Sequence, residues 1–199
     1  MVADIDLKNH IVEKIAPIMS SWTDDDTYAI SFFVENLNGN PYMPTISIGH
    51  NTEEQYRESI VDAFDEREAR WNFAFWLQSQ EFVFGEEGET KNMVKQWIVA
   101  HGFPYCEDYS YSYESEAACN AHYDLMDTIA NNFLIPVLVE AAKELRKSQI
   151  IQDKFGKEIP IIIHKLEYYN EIANQNIEAN TLPLVKDFVD WVHHEQKVW

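Results

Sequence analysis

Tyr28, Ile30, Phe32 and Val34 fall at every second position, with Ala29, Ser31 and Phe33 between them. A period of two sends successive side chains to opposite faces of an extended backbone, so the run reads as a β-strand. Asn38-Gly39-Asn40-Pro41 follows, a cluster of turn formers. Ile46 and Ile48 then alternate with Thr45 and Ser47. Residues 27–49 therefore predict a β-hairpin. A lone hairpin cannot bury its apolar side chains, so the rest of the chain must cover it.

The covering elements read as helices. Leu7, Ile11, Val12, Ile15, Ile18, Met19 and Trp22 form one helical stripe over residues 5–22, and Pro17 is expected to bend that helix or end it early. A second helix is predicted from Thr52 to about residue 70, capped by Asn51 or Thr52, with Tyr56, Ile60, Val61 and Phe64 inward. Residues 71–84, rich in Trp and Phe, predict one or two strands. Thr90 is placed to cap a helix that Gly102 stops. A long helix is expected over 116–149, kinked or broken at Pro136. Residues 159–163 read as a buried strand, residues 168–177 as a short helix, and Thr181 as the start of a last one. With no internal repeat and no linker, the expectation is a single α+β domain over residues 1–199: a mainly antiparallel sheet covered by helices.

Hydrophobic residues make up 46% of the 199, enough for a sizeable core. Thirty-four acidic residues stand against 15 Lys and Arg, a net charge of -19. Such a chain repels nucleic-acid phosphates and anionic membranes, and attracts a basic protein. The plainer reading is that acidity serves solubility alone. The first 22 residues have neither the basic start nor the apolar run of a signal peptide, and no stretch approaches the roughly 18 uncharged apolar residues of a membrane span. Two cysteines, Cys106 and Cys119, are too few for a disulfide scaffold. A reducing, cytoplasmic setting is expected.

The sequence carries no specific catalytic or cofactor signature. Cys106 adjoins Glu107 and Asp108, whose charge disfavours the reactive thiolate. His193 and His194 are adjacent and point about 100° apart on a helix, so they cannot easily share an ion. Asp24, Asp25 and Asp26 lack the spacing of a calcium loop. Asp124 and Asp127 lie three apart near His122, the basis for an alternative reading as an enzyme with a metal or paired-carboxylate site. No metal site and no cofactor is assigned.

The most distinctive segment sets Tyr105, Tyr109, Tyr111 and Tyr113 among Glu107, Asp108, Glu114 and Glu116. Tyrosine gives large contact area at low entropic cost, and carboxylates beside it engage Arg or Lys of a partner. These eight residues are the candidate binding surface. The competing reading is an edge strand or packed loop with alternate tyrosines buried.

Three stretches resemble a bacterial family of small domains of unknown function, proposed as immunity proteins against polymorphic toxins. They are YAISFFV at 28–34 with SIGHNTEE at 47–54, RWNFAFW at 70–76, and FGKEIPIIIH at 155–164 continuing to Glu167, Tyr168 and Tyr169. The resemblance implies an α+β domain with a binding role and no active residues to carry over. The functional expectation is an acidic protein-binding domain that neutralises a basic partner, plausibly a toxin.

Overall fold

A computed structural model describes residues 1–79, 81–110 and 115–198, with side chains described as far as residue 194. The predicted hairpin lies at its centre. β1 (Thr27–Asn36) pairs antiparallel with β2 (Pro44–Thr52), from Thr27 opposite Thr52 to Asn36 opposite Pro44. The turn is closed by Asn38 and Gly39, both left-handed (φ 53° and 68°), and by Asn36 Nδ2 donating to the Asn40 carbonyl at 3.2 Å. β3 (Phe82–Phe84) joins β2 antiparallel, and β4 (Ile161–His164) joins β1 parallel, giving the order β3-β2-β1-β4. The chain is thus an α+β domain with a mainly antiparallel sheet.

Helices cover both faces of that sheet. In chain order they are α1 (Val2–Ser21), α2 (Glu53–Ser59), α3 (Glu66–Trp71), α4 (Gly88–Ala100), α5 (Glu116–Ile129), α6 (Ile135–Lys147), α7 (Ile150–Phe155), α8 (Asn170–Ala179) and α9 (Leu182–Val198). One core joins Ile30, Phe32, Ile46, Ile48, Ile161 and Ile163 to the stripe of α1 and to α4 and α6. A second core, on the opposite face, joins Ala29 and Ile162 to Trp71, Trp76, α8 and α9. Burial on both faces makes β1 and β2 almost wholly inaccessible, although their sequences alternate. The alternation placed Tyr28 with Ile30. A register shift between Thr27 and Ala29 turns it instead into the second core. There its hydroxyl donates to the Arg70 carbonyl at 2.5 Å, and the Arg70 guanidinium lies 4.1 Å over its ring. The aromatic run 70–76 that carried the family resemblance is therefore built into this core.

Several boundaries differ from expectation, each for a local reason. α1 runs through Pro17 to Ser21 without ending early. The helix predicted over 52–70 is two helices, because the Asp65 carboxylate accepts the Arg67 and Glu68 amides and starts a new one. Val61 and Phe64, expected inward, lie on the connection and are 83% and 94% exposed. Residues 73–75 form a 3₁₀ turn, and among the described residues of this segment 82–84 alone are strand. Thr90 sits inside α4, bonded to Gly85 and Glu87, and the helix starts at Gly88. Pro136 neither breaks nor ends the long helix: a π-helical turn over 130–134 precedes it and absorbs the lost donor. The continuous helix Glu116–Lys147 is long and apolar enough to cross a membrane, contrary to expectation. Half of its most apolar stretch is packed inside the protein, which accounts for the apolarity.

The exposed edge of β4 is closed by two asparagines, Asn176 of α8 and Asn180 at its C-terminal cap. The Ile163 amide donates to Asn176 Oδ1 at 2.8 Å, and Asn176 Nδ2 donates back to the Ile163 carbonyl at 2.8 Å. Asn180, one turn later, repeats the arrangement with Ile161 at 3.0 and 2.8 Å. A primary amide presents the same donor and acceptor as a peptide group, so the pair acts as a substitute strand.

Candidate functional site

Because β1 and β4 run parallel, both end at the same edge of the sheet, beside the hairpin turn. Chain leaving these ends diverges and leaves a groove of about 480 Å³ between the sheet, α5 and the segment after β4. Glu35, the second-last residue of β1, lies in its wall. The same side chain also lines two adjoining hollows, one with Phe73 and Gln78 and one with Ser47 and Glu86. Burial raises the Glu35 carboxyl above its usual range, opposed only by a hydrogen bond from Ser47 Oγ at 3.4 Å.

Lys165 follows β4 directly. Its Nζ lies 2.5 Å from Asp127 Oδ1 of α5 and 5.4 Å from the centre of the Tyr169 ring. Burial works most strongly against its charge, but Asp127 and Tyr169 together outweigh it and hold Lys165 above the usual lysine range. Tyr123 and Leu166 stand at the mouth, 51% and 74% exposed, and Glu167 adds a further carboxylate. A smaller hollow continues from Tyr123 and Met126 to Tyr109 and His122. The arrangement is an apolar-walled channel with carboxylates inside and around it, suited to a cationic, partly apolar ligand.

The segment 105–116 borders this region. Tyr105 packs against the first core, with Lys95 Nζ 4.8 Å over its ring. Glu107 pairs with Lys91 at 3.1 Å, while Asp108 and Glu116 are exposed. Tyr109 shares a 3.0 Å hydrogen bond with His122 Nδ1, stacks on that ring, and meets Tyr42 of the hairpin turn edge-on. Asn40 Nδ2 donates to the Cys106 carbonyl at 2.6 Å, which ties the segment to the turn. Tyr111, Tyr113 and Glu114 lie outside the described residues.

Of the three stretches where acid concentrates in the sequence, 53–68, 86–89 and 107–116, the last two begin near one end of the sheet: Lys91 links α4 to Glu107, and Glu86 shares a hollow with Glu35. The third stretch does not join them at its start. α2 leaves the opposite end of the hairpin, where Glu53 is held by Arg70 in a two-pronged pair at 2.8 and 3.1 Å. The residues behind the enzyme reading also separate. Asp127 is paired with Lys165, buried His122 with Tyr109, and Asp124 is exposed. No group of three His, Cys, Asp or Glu among the described residues is placed to hold a metal ion.

The chain matches no protein-family model, no curated protein and no solved structure in the three comparisons made. Its own geometry is therefore the guide to its function. Glu35, Tyr123 and Lys165 were not singled out from the sequence, and Glu167 entered only through the family resemblance, not as a site residue. The one available signal was a charged residue at the end of each apolar strand, Glu35 after 28–34 and Lys165 after 161–164. That these two ends adjoin depends on a parallel pairing across more than a hundred residues, which no local pattern encodes.

Proposed function

We propose that the chain is an acidic protein-binding domain that captures and neutralises a basic protein, with a toxin such as a nuclease as the partner class that the net charge favours. What supports this reading most is uncompensated negative charge around the groove. Asp127 is tied to Lys165, whereas Glu35, Glu167 and, in an adjoining hollow, Glu86 have no ion pair among the described residues. On a chain of net charge -19 these carboxylates steer a cationic surface inward and repel nucleic acid and anionic membranes. A cytoplasmic location belongs to the same reading.

The test is capture of the products of neighbouring genes by the purified chain at low and at high salt. A basic protein is expected to bind at low salt and to weaken as salt rises, because exposed charges are screened within about 10 Å at 0.1 M. Absence of capture from every such product at low salt contradicts the proposal.

A further inference from the structure

The groove treats its two halves differently. In one half a cation is already held: Lys165 Nζ sits between the Asp127 carboxylate and the face of Tyr169. In the other half Glu35 is half-buried, accepts one long hydrogen bond from Ser47, and has no Lys, Arg or His partner among the described residues. A carboxylate drawn out of water without a counter-ion is costly, and a cation arriving from outside removes that cost. The wall beside it is apolar and open, with Tyr123 and Met126 on one side and Leu166 on the other.

We propose that Glu35 anchors an arginine side chain of the basic partner. The inference rests on the binding reading above and names its point of attachment. Arginine suits the position better than lysine for three reasons. Its planar fork offers two parallel donors to one carboxylate. Its charge is weakly hydrated and so loses less on entering a half-buried channel. Its methylenes lie along Tyr123 and Leu166 while the guanidinium reaches the floor. Lys165 stays with Asp127 and keeps that carboxylate from competing for the incoming cation.

The probes are two blocked pentapeptides identical except for a central arginine or lysine between leucines, titrated into the ¹⁵N-labelled full chain at low salt. The arginine peptide is expected to shift the amide signals of Glu35, Tyr123 and Leu166, and to bind at least about fivefold tighter than the lysine peptide. Glu35→Gln, which preserves shape, is expected to weaken the arginine peptide about tenfold. Tyr123→Ala, on the exposed wall, provides an independent loss should Glu35→Gln disturb folding. Equal affinity for the two peptides, shifts confined to other surfaces, or unchanged binding by Glu35→Gln would overturn the proposal. Shifts that follow protein concentration alone would instead assign the groove to a second copy of this chain. Capture of a basic partner by Glu35→Gln at wild-type affinity removes the arginine anchor and leaves the binding reading standing. Absence of capture by the wild type removes the binding reading itself.

Discussion

Asn176→Leu is expected to lower the unfolding free energy by about 2 kcal/mol, the cost of a buried backbone amide left without a partner at roughly 1–3 kcal/mol. Asn176 is fully buried and serves both the amide and the carbonyl of Ile163, but the carbonyl also accepts from Gln175 Nε2 at 2.9 Å, so the amide is the group left unpaired. Leucine has the same branching and the same number of heavy atoms and is somewhat bulkier, so the loss arises from an unpaired polar group and not from a cavity. Because β4 is an edge strand, no further strand replaces the missing partner. Urea denaturation gives the stability change, and hydrogen exchange at the Ile163 amide gives its location. Fast exchange at Ile163 with little change at Ile48 is the expected pattern. Asn170→Ala, at the exposed start of the same helix, serves as the control and is expected to change stability by less than about 0.5 kcal/mol.

The second large effect is an acid-dependent loss of stability from His164. The ring is wholly buried between Phe33, Phe73 and Tyr168. Its Nδ1 lies 3.1 Å from the Lys165 carbonyl, which can only accept, so Nδ1 carries the proton. Nε2, 2.8 Å from Ser31 Oγ, then accepts from the hydroxyl. Both nitrogens are satisfied in the neutral form. Burial pushes the pKa down to about 4, only partly opposed by the Lys165 carbonyl. The folded value lies below the unfolded value near 6.5, so the unfolded chain takes up the proton first as pH falls. The contribution of neutral His164 is therefore complete above about pH 6.5, declines between 6.5 and 4, and levels off below 4. About 2.5 pKa units correspond to about 3 kcal/mol. Denaturant midpoints measured at half-unit steps of pH check this against His164→Gln. The difference between the two curves is expected to change within that window and to be flat above it.

How much of this was legible in the sequence follows from the range of each interaction. The hairpin was legible because both strands and the turn lie within 26 residues and obey a period of two. The stripe of α1 was legible for the same reason at a helical period: Leu7, Ile11, Ile15 and Met19 are all fully buried. The break before α3 was missed because Val61 and Phe64 keep the helical spacing, while the Asp65 cap that overrides it is a single residue. The roles of Asn176 and Asn180 were invisible because their partners belong to a strand whose position is set by a distant pairing. The same pairing joins Glu35 to Lys165 and creates the groove, so the candidate site was the least legible part of the chain. The tyrosine-rich segment was legible as unusual. Its described half is partly packed, through Tyr105 in the core and Tyr109 on His122, which accounts for those two tyrosines as packing residues.

In the proposed function, binding is carried by charge placed at the groove and not by net charge alone. Two variants of equal net charge separate these. One carries Glu35→Gln and Glu167→Gln at the groove; the other carries Glu54→Gln and Glu58→Gln on α2, which leaves the opposite end of the hairpin. Their affinities for the captured basic partner, measured side by side at low salt, are the most direct test. The groove variant is expected to lose at least about tenfold in affinity, and the α2 variant to stay within about twofold of the parent. Equal losses in the two would show that the acidity acts as a diffuse field and would contradict a site at the ends of β1 and β4.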